Sequence, residues 1–259
     1  MNFTTRTEVK IQGACAAFSG ITPLGNDLKI VVMKIPPDVG HCVGNPGETL
    51  RRQRQVFEAA GGSLRVPKAL WDRWLTIPDT PMRLQRWASR AALAQAFTID
   101  ESVAQKPSAI LSLSISHSSR YAVAAALVSR SSTPHAVGID LELQDRVIDP
   151  RVLSRIAHAE DVTANEPPLA QWCAKEAALK TLSNGEALLL SDVWLRHAAP
   201  GCFRFGMGDR GEGVAMQIPF SNHVLYVGEA PMARMPVCSA SSALTHHALH
   251  EEGAGQWRS

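Results

Sequence analysis

The sequence predicts an α+β protein built from two similar halves, and three observations carry that prediction. Each half of the 259-residue chain offers one long run of helix formers beside several short β-branched or alternating runs. The stretch SRSSTPH at 129–135 is small, polar and interrupted by proline, as a linker would be. At 45% hydrophobic, the chain can bury a proper core. We expect two pseudo-twofold-related halves, each a small antiparallel sheet packed on a long helix. The boundaries read as an irregular N-terminal arm at 1–25, an N-terminal half at 26–130, a C-terminal half at 136–231, and a partly disordered tail at 232–259.

The elements follow in order. LKIVVMKI (28–35) is apolar and β-branched, hence a strand, and PPDVGHCVGNPG supplies the Pro and Gly of a loop. ETLRRQRQVFEAAG reads as a helix stopping at Gly61 and Gly62. DTPMRLQRWASRAALAQAF has Asp79 as a cap, a proline at its start and a long run of helix formers. SAILSLSIS and RYAVAAALV are strands flanking Ser116, His117 and Ser118. In the second half AVGIDLELQ (136–144) is a strand, DPRVLSRIAHAED a short helix and PPLAQWCAKEAALKTL a longer one. VWLRH, CFRFGM, GVAMQIPF and NHVLYVGEA are short strands of an antiparallel sheet.

Composition excludes several classes. A net charge of +2 is too mild for a nucleic-acid groove. Five cysteines, at 15, 42, 173, 202 and 238, show no short metal-ligand spacing and read as reduced thiols in a cytoplasm. The run GACAAFSG is too short and glycine-broken for a signal peptide. Nothing reaches the roughly 18 apolar residues of a membrane span, so we expect a soluble protein with no membrane partner. GMGDRG (206–211) is a literal GxGxxG, but the next segment reads as a strand, which makes it a hairpin turn. The tail histidines His246, His247 and His250 read as solvated.

The candidate chemistry begins in AVGIDLELQ. Strand side chains two apart share a face, so Asp140 and Glu142 project side by side and repel. Acids on a surface strand are ordinarily just solvated. Here the flanking positions are apolar, and Gly138 suits a close approach to the backbone. A hard dication such as Mg2+ would relieve the repulsion, given one more anionic ligand. In QWCAKEAALK, Trp172, Glu176 and Lys180 fall four apart on one helical stripe, and Ala174, Ala177 and Ala178 allow close packing. Alone, that is an ordinary Glu-Lys helix pair. An acidic strand followed by a Trp, Lys, Glu, Lys helix is more specific.

These segments resemble the 4'-phosphopantetheinyl transferases. VGIDLE (137–142) and WCAKEAALK (172–180) match that family's two signature blocks, and SISHSS (114–119) matches the S-H-S turn of its larger, surfactin-synthetase-activating branch. RIAHAED (155–161) looks like the helical segment between the blocks. The resemblance spans roughly residues 80 to 230 and implies transfer of phosphopantetheine from coenzyme A to a serine of an apo acyl or peptidyl carrier protein, releasing adenosine 3',5'-bisphosphate. It implies that Asp140, Glu142 and Glu176 ligate Mg2+ and that Lys180 neutralises phosphate charge. His117, with Ser116 of the same turn, would contact a CoA phosphate, and Glu176 or a bound water would take the serine proton. It further implies a cleft between the halves as the site, and an active monomer, since this branch carries both halves in one chain.

Other residues follow from the same resemblance. Arg83, Arg86 and Arg90 share a helix face, and Arg86 is the preferred holder of the CoA 3'-phosphate. Lys175, beside Glu176, would also reach phosphate. The segment between the two blocks is shorter than the family's usual one, its G-K-P element is reduced to QKP at Lys106, and NGEA (184–187) lacks the lysine of the step after the second block. The rival readings are a catalytically impaired relative that binds CoA or carrier without transfer, and another Mg-dependent enzyme acting on a nucleotide pyrophosphate.

Overall fold

Strand alternation in the first half builds a sheet buried on both faces. The computed structural model describes residues 10–12, 15–36, 46–59, 83–98, 111–129, 133–183 and 186–232. The elements of the first half are β1 (Lys10–Gln12), β2 (Cys15–Ile21), β3 (Asp27–Lys34), α1 (Pro46–Ala59), α2 (Arg83–Thr98), β4 (Leu111–His117) and β5 (Tyr121–Val128). The strands pair antiparallel in the order β1-β2-β3-β5-β4. On β3 and β5, Val31, Met33, Ala122, Ala124 and Ala126 meet Leu84, Trp87, Ala88, Ala91 and Ala92 of α2. Leu28, Ile30, Val32, Val123, Ala125 and Leu127 point the other way. Trp87 is fully buried and meets Phe57 of α1 edge-on at 5.7 Å.

The second half contains β6 (His135–Leu143), α3 (Pro150–Ile156), α4 (Pro168–Leu182), β7 (Trp194–Ala199), β8 (Cys202–Gly206), β9 (Glu212–Gln217) and β10 (His223–Pro231). Its antiparallel sheet runs β6-β10-β9-β8-β7, so the first strand pairs with the last. Gly138 and Gly228 face each other across β6 and β10, and α4 lies directly on this pair through Ala177 and Thr181. The residues alternating with them, Val137, Ile139, Leu141, Leu225 and Val227, join the first sheet's inner face in one shared core. The layers are therefore helix, sheet, sheet, helix. Each large aliphatic side chain fully buried between the sheets contributes roughly 1.5–3 kcal/mol.

The sheets also meet along two edge strands. β4 ends the first sheet and β6 the second. Ser112 and Ser114 of β4 accept hydrogen bonds from the Val137 and Ile139 amides at 2.9 and 3.1 Å, and Ser116 donates to Asp140 at 2.9 Å. Three serines at a two-residue spacing thus serve the β6 edge where a neighbouring strand would otherwise pair.

A polar group joins the halves at the other end of β6. Glu229, 1% exposed, accepts from Asn26 Nδ2 at 2.6 Å and lies 3.1 Å from His135 Nδ1, both on its Oε1 atom. Oε2 is buried without a hydrogen bond. Glu229→Leu is expected to lower stability by roughly 3 kcal/mol, because Asn26 and His135 lose this acceptor. Glu229→Gln keeps a carbonyl for both and should stay within about 1 kcal/mol. Urea midpoints check the ranking, and equal losses would contradict it.

Several expectations change. The arm at 1–25 holds β1 and β2, with β2 fully paired to β3. The short helix ends at Ile156, with Ala157 extended at ψ 135°, so residues 157–161 are loop rather than helix. The GxGxxG segment is the β8–β9 hairpin turn, with Gly208 and Gly211 at φ 46° and 98°, where a side chain would be strained. Asp79, Gly61, Gly62, Lys106, residues 130–132 of the linker, residues 184–185 of the NGEA step and the tail from 233 lie outside the described residues. Among the described residues no helix is long and apolar enough to cross a membrane.

Candidate active site

Alternation along β6 sends Gly138, Asp140 and Glu142 toward α4, opposite Ile139 and Leu141. The glycine is what lets α4 come down. A Cβ there would stand 2.0 Å from Ala177 O. The close approach foreseen at Gly138 is made by the helix itself, which brings Glu176 and Lys180 to the two strand acids.

Asp140 is 5% exposed, and its Oδ1 accepts from Ser116 Oγ and Lys180 Nζ, each at 2.9 Å. Lys180 Nζ also donates to Ile139 O at 3.0 Å. The other oxygen, Oδ2, is buried with no hydrogen-bond partner. Glu142 pairs with Arg146, whose guanidinium lies 5.2 Å over the Trp172 ring.

The four ionisable groups share one field. Burial, then the Asp140 charge, pushes the Glu142 carboxyl up to about 7 against the opposing Arg146 and Lys180, with Glu176 adding to the rise. Burial also raises Glu176, with Lys180 opposing and Asp140 reinforcing. Burial pushes Lys180 down, but Asp140 and Glu176 outweigh it and hold the ammonium above the ordinary lysine value. Beneath them Cys173 is wholly buried, and burial followed by Asp140 and Glu142 pushes its thiol far up, so it stays protonated.

Asp140, Glu142, Glu176, Lys180 and Ser116 are therefore brought together. Among the described residues no group of three or more His, Cys, Asp or Glu is gathered closely enough to hold a metal ion. Lys180 and Arg146 supply the compensating charge instead. Arg146 was not anticipated, although its place four residues after Glu142 was a readable signal.

The remaining candidates lie elsewhere. His117 follows Ser116 on β4 and so projects to the opposite face, where Leu113 and Ile115 pack against the α2 core. Arg86 is half-buried on α2, the helix on that same side of the first sheet. Its neighbour Arg83 is buried and donates to Gln53 Oε1 at 3.1 Å. Lys175 points into the interior: its Nζ contacts Asp161 at 2.8 Å, Ile156 O at 2.9 Å and Val193 O at 2.6 Å. An ammonium has three protons. A phosphate would have to displace one of these partners, so Lys175 ties α4 to the end of α3, the 157–161 loop and the residue before β7, and the expected phosphate contact is not supported by its placement. The second serine of the S-H-S turn, Ser118, is buried and lies 3.4 Å from His223 Nε2 at the start of β10.

No family model matches the chain, and no curated protein matches it.

Proposed function

We propose that the protein transfers the 4'-phosphopantetheine arm of coenzyme A to a serine of an apo acyl or peptidyl carrier protein, with Mg2+ as cofactor, acting as a single chain in the cytoplasm. The observation that carries this reading is the buried Oδ2 of Asp140, to which no N–H or O–H donates, set beside two further carboxyls and an ammonium. An interior carboxylate oxygen without a hydrogen bond is a standing cost. A hard dication with oxygen ligands would relieve it. Asp140, Glu142 and Glu176 would have to draw closer together than they stand here to hold the ion, which would supply charge neutralisation at the CoA pyrophosphate.

The chain's own groups do the rest. Lys180 meets phosphate charge while remaining an ammonium. Glu176 or a bound water takes the proton of the incoming serine. As the serine oxygen bonds to phosphorus, the pyrophosphate P–O bond breaks and adenosine 3',5'-bisphosphate leaves with its electron pair.

The test is purified protein with CoA, Mg2+ and a panel of apo carriers. Mass spectrometry should show a carrier gaining one phosphopantetheine. A second reading, an impaired relative that binds without transfer, is favoured by the absence of a gathered metal-ligand group among the described residues. CoA binding with no mass gain on any carrier would select it. CoA consumption without carrier would point to pyrophosphate chemistry on a nucleotide.

Glu142 makes the activity pH-dependent. With its carboxyl near 7, the ionised fraction of metal-free Glu142 rises about tenfold between pH 6 and pH 8, and transfer at sub-saturating Mg2+ should rise with it. Stability runs the other way. A carboxyl raised above its unfolded value costs nothing below about 4.5 and progressively more as pH climbs through 7. The thermal midpoint of metal-free protein should therefore fall from pH 5 to pH 8, and Glu142→Gln should flatten both trends. A variant that retains either slope in full would remove Glu142 as its source.

A further inference from the structure

Both serines of the S-H-S turn reach across into the second half. Ser116 donates to Asp140 of β6, and Ser118 contacts His223 of β10. Around Ser118 the hydrogens can be counted. Its Oγ accepts from the Arg120 and Tyr121 amides, each at 3.3 Å, and its own amide donates to Tyr121 O at 2.8 Å. With both lone pairs engaged, the hydroxyl proton is left to donate, and His223 Nε2 is the acceptor. Counted this way, the ring proton is assigned to Nδ1.

Nδ1 is buried with no hydrogen-bond partner. The ring is 6% exposed and packed against Tyr121 and Phe220, with centroids 5.1 and 5.5 Å away. In that apolar setting a leucine would avoid the bare N–H. Burial and the Arg120 charge, against Asp145, hold the imidazole below its ordinary value, which keeps it neutral. A histidine here gives up stability at one nitrogen and makes a single polar contact with the other. A group kept at such a cost points to what its contact does.

We propose that His223 is a positioning residue: through Ser118 it clamps the S-H-S turn to the second half and so holds Ser116 at Asp140. Ser116 anchors the turn at β6 and the Ser118–His223 pair anchors it at β10. The CoA-binding consequence rests on the transferase reading given above, whereas the clamp does not.

Three variants test it: His223→Leu removes the acceptor, His223→Gln offers an amide oxygen near the ε position, and Ser118→Ala removes the donor. Amide hydrogen exchange of Arg120 and Tyr121 is expected to speed up about tenfold in His223→Leu and to return toward wild type in His223→Gln. The thermal midpoint of His223→Leu should equal or exceed wild type. In the carrier assay its KM for CoA should rise about tenfold with kcat little changed, and Ser118→Ala with His223→Leu together should be no worse than either alone. Unchanged exchange at both amides overturns the clamp, whatever the wild type does with CoA. Faster exchange with an unchanged KM overturns the positioning role. A His223→Leu protein that loses midpoint and activity in parallel, unrescued by glutamine, makes His223 a packing residue and overturns the inference. Failure of wild-type transfer on every carrier would refute the transferase reading and the CoA part together, while exchange would still decide the clamp.

Discussion

Glu176→Gln is expected to lower carrier modification at least about a thousandfold while leaving the thermal midpoint equal to or above that of the wild type. The two halves of that expectation have one cause. Burial raises the Glu176 carboxyl, so the folded protein carries the anion at a cost that an uncharged amide of the same shape avoids. The same anion is what the proposed chemistry needs, as an oxygen ligand for the cation and as the acceptor of the serine proton. Lys180 loses a neighbour that helps hold its ammonium, but Asp140 still lies 2.9 Å away. Carrier mass at saturating CoA and a melting curve on the same preparation make the check. Turnover within tenfold of wild type would remove Glu176 from both roles. A collapsed midpoint would make it a structural residue.

Gly138→Ala should be the most damaging single methyl group in the second half, lowering stability by about 3 kcal/mol or more. The added carbon would fall 2.0 Å from Ala177 O and 2.6 Å from the Thr181 amide nitrogen. Both are helix backbone, which cannot turn aside as a side chain can. To make room, α4 must lift off the sheet and carry Glu176 and Lys180 away from Asp140. Transfer should therefore fall together with stability, unlike the Glu176→Gln pattern. Gly228→Ala gives the internal control. Its nearest contact, 2.6 Å, is the rotatable Thr181 hydroxyl, and Ala177 O is 3.1 Å off. It should cost less than Gly138→Ala. Urea midpoints at constant slope decide this, and the reverse ranking would show that α4 moves more freely than its contacts indicate.

Local pattern carried most of the architecture. β3, β5 and β10 are near-continuous apolar runs, β6 is an apolar alternation, and α2 and α4 are long runs of helix formers, so pattern and propensity agreed and the elements formed where they were read. The misreadings have physical reasons. β2 is written CAAFSGI, small and weakly β-forming, and is a strand because β3 pairs with it along its whole length. RIAHAED has the composition of a helix, but Asp161 accepts from the His158 and Leu195 amides and pairs with Lys175, a set of contacts that holds 157–161 as loop. Lys175 shows the same limit on a single side chain. A lysine next to a catalytic candidate reads as a phosphate ligand until the backbone carbonyls of Ile156 and Val193 are found around it.

By itself, the sequence determined the α+β class, the order of most elements, and the pairing of an acidic strand with a Glu-Lys helix, because hydrophobic period and side-chain type act over a few residues. Tertiary structure alone decided which atoms meet. It set Ser116 and Lys180 on one oxygen of Asp140 and left the other bare, brought Arg146 to Glu142, and joined Ser118 to His223 across the two halves. Such contacts depend on packing angles summed over the whole chain and on who reaches a buried proton first, and neither is a property of any local stretch.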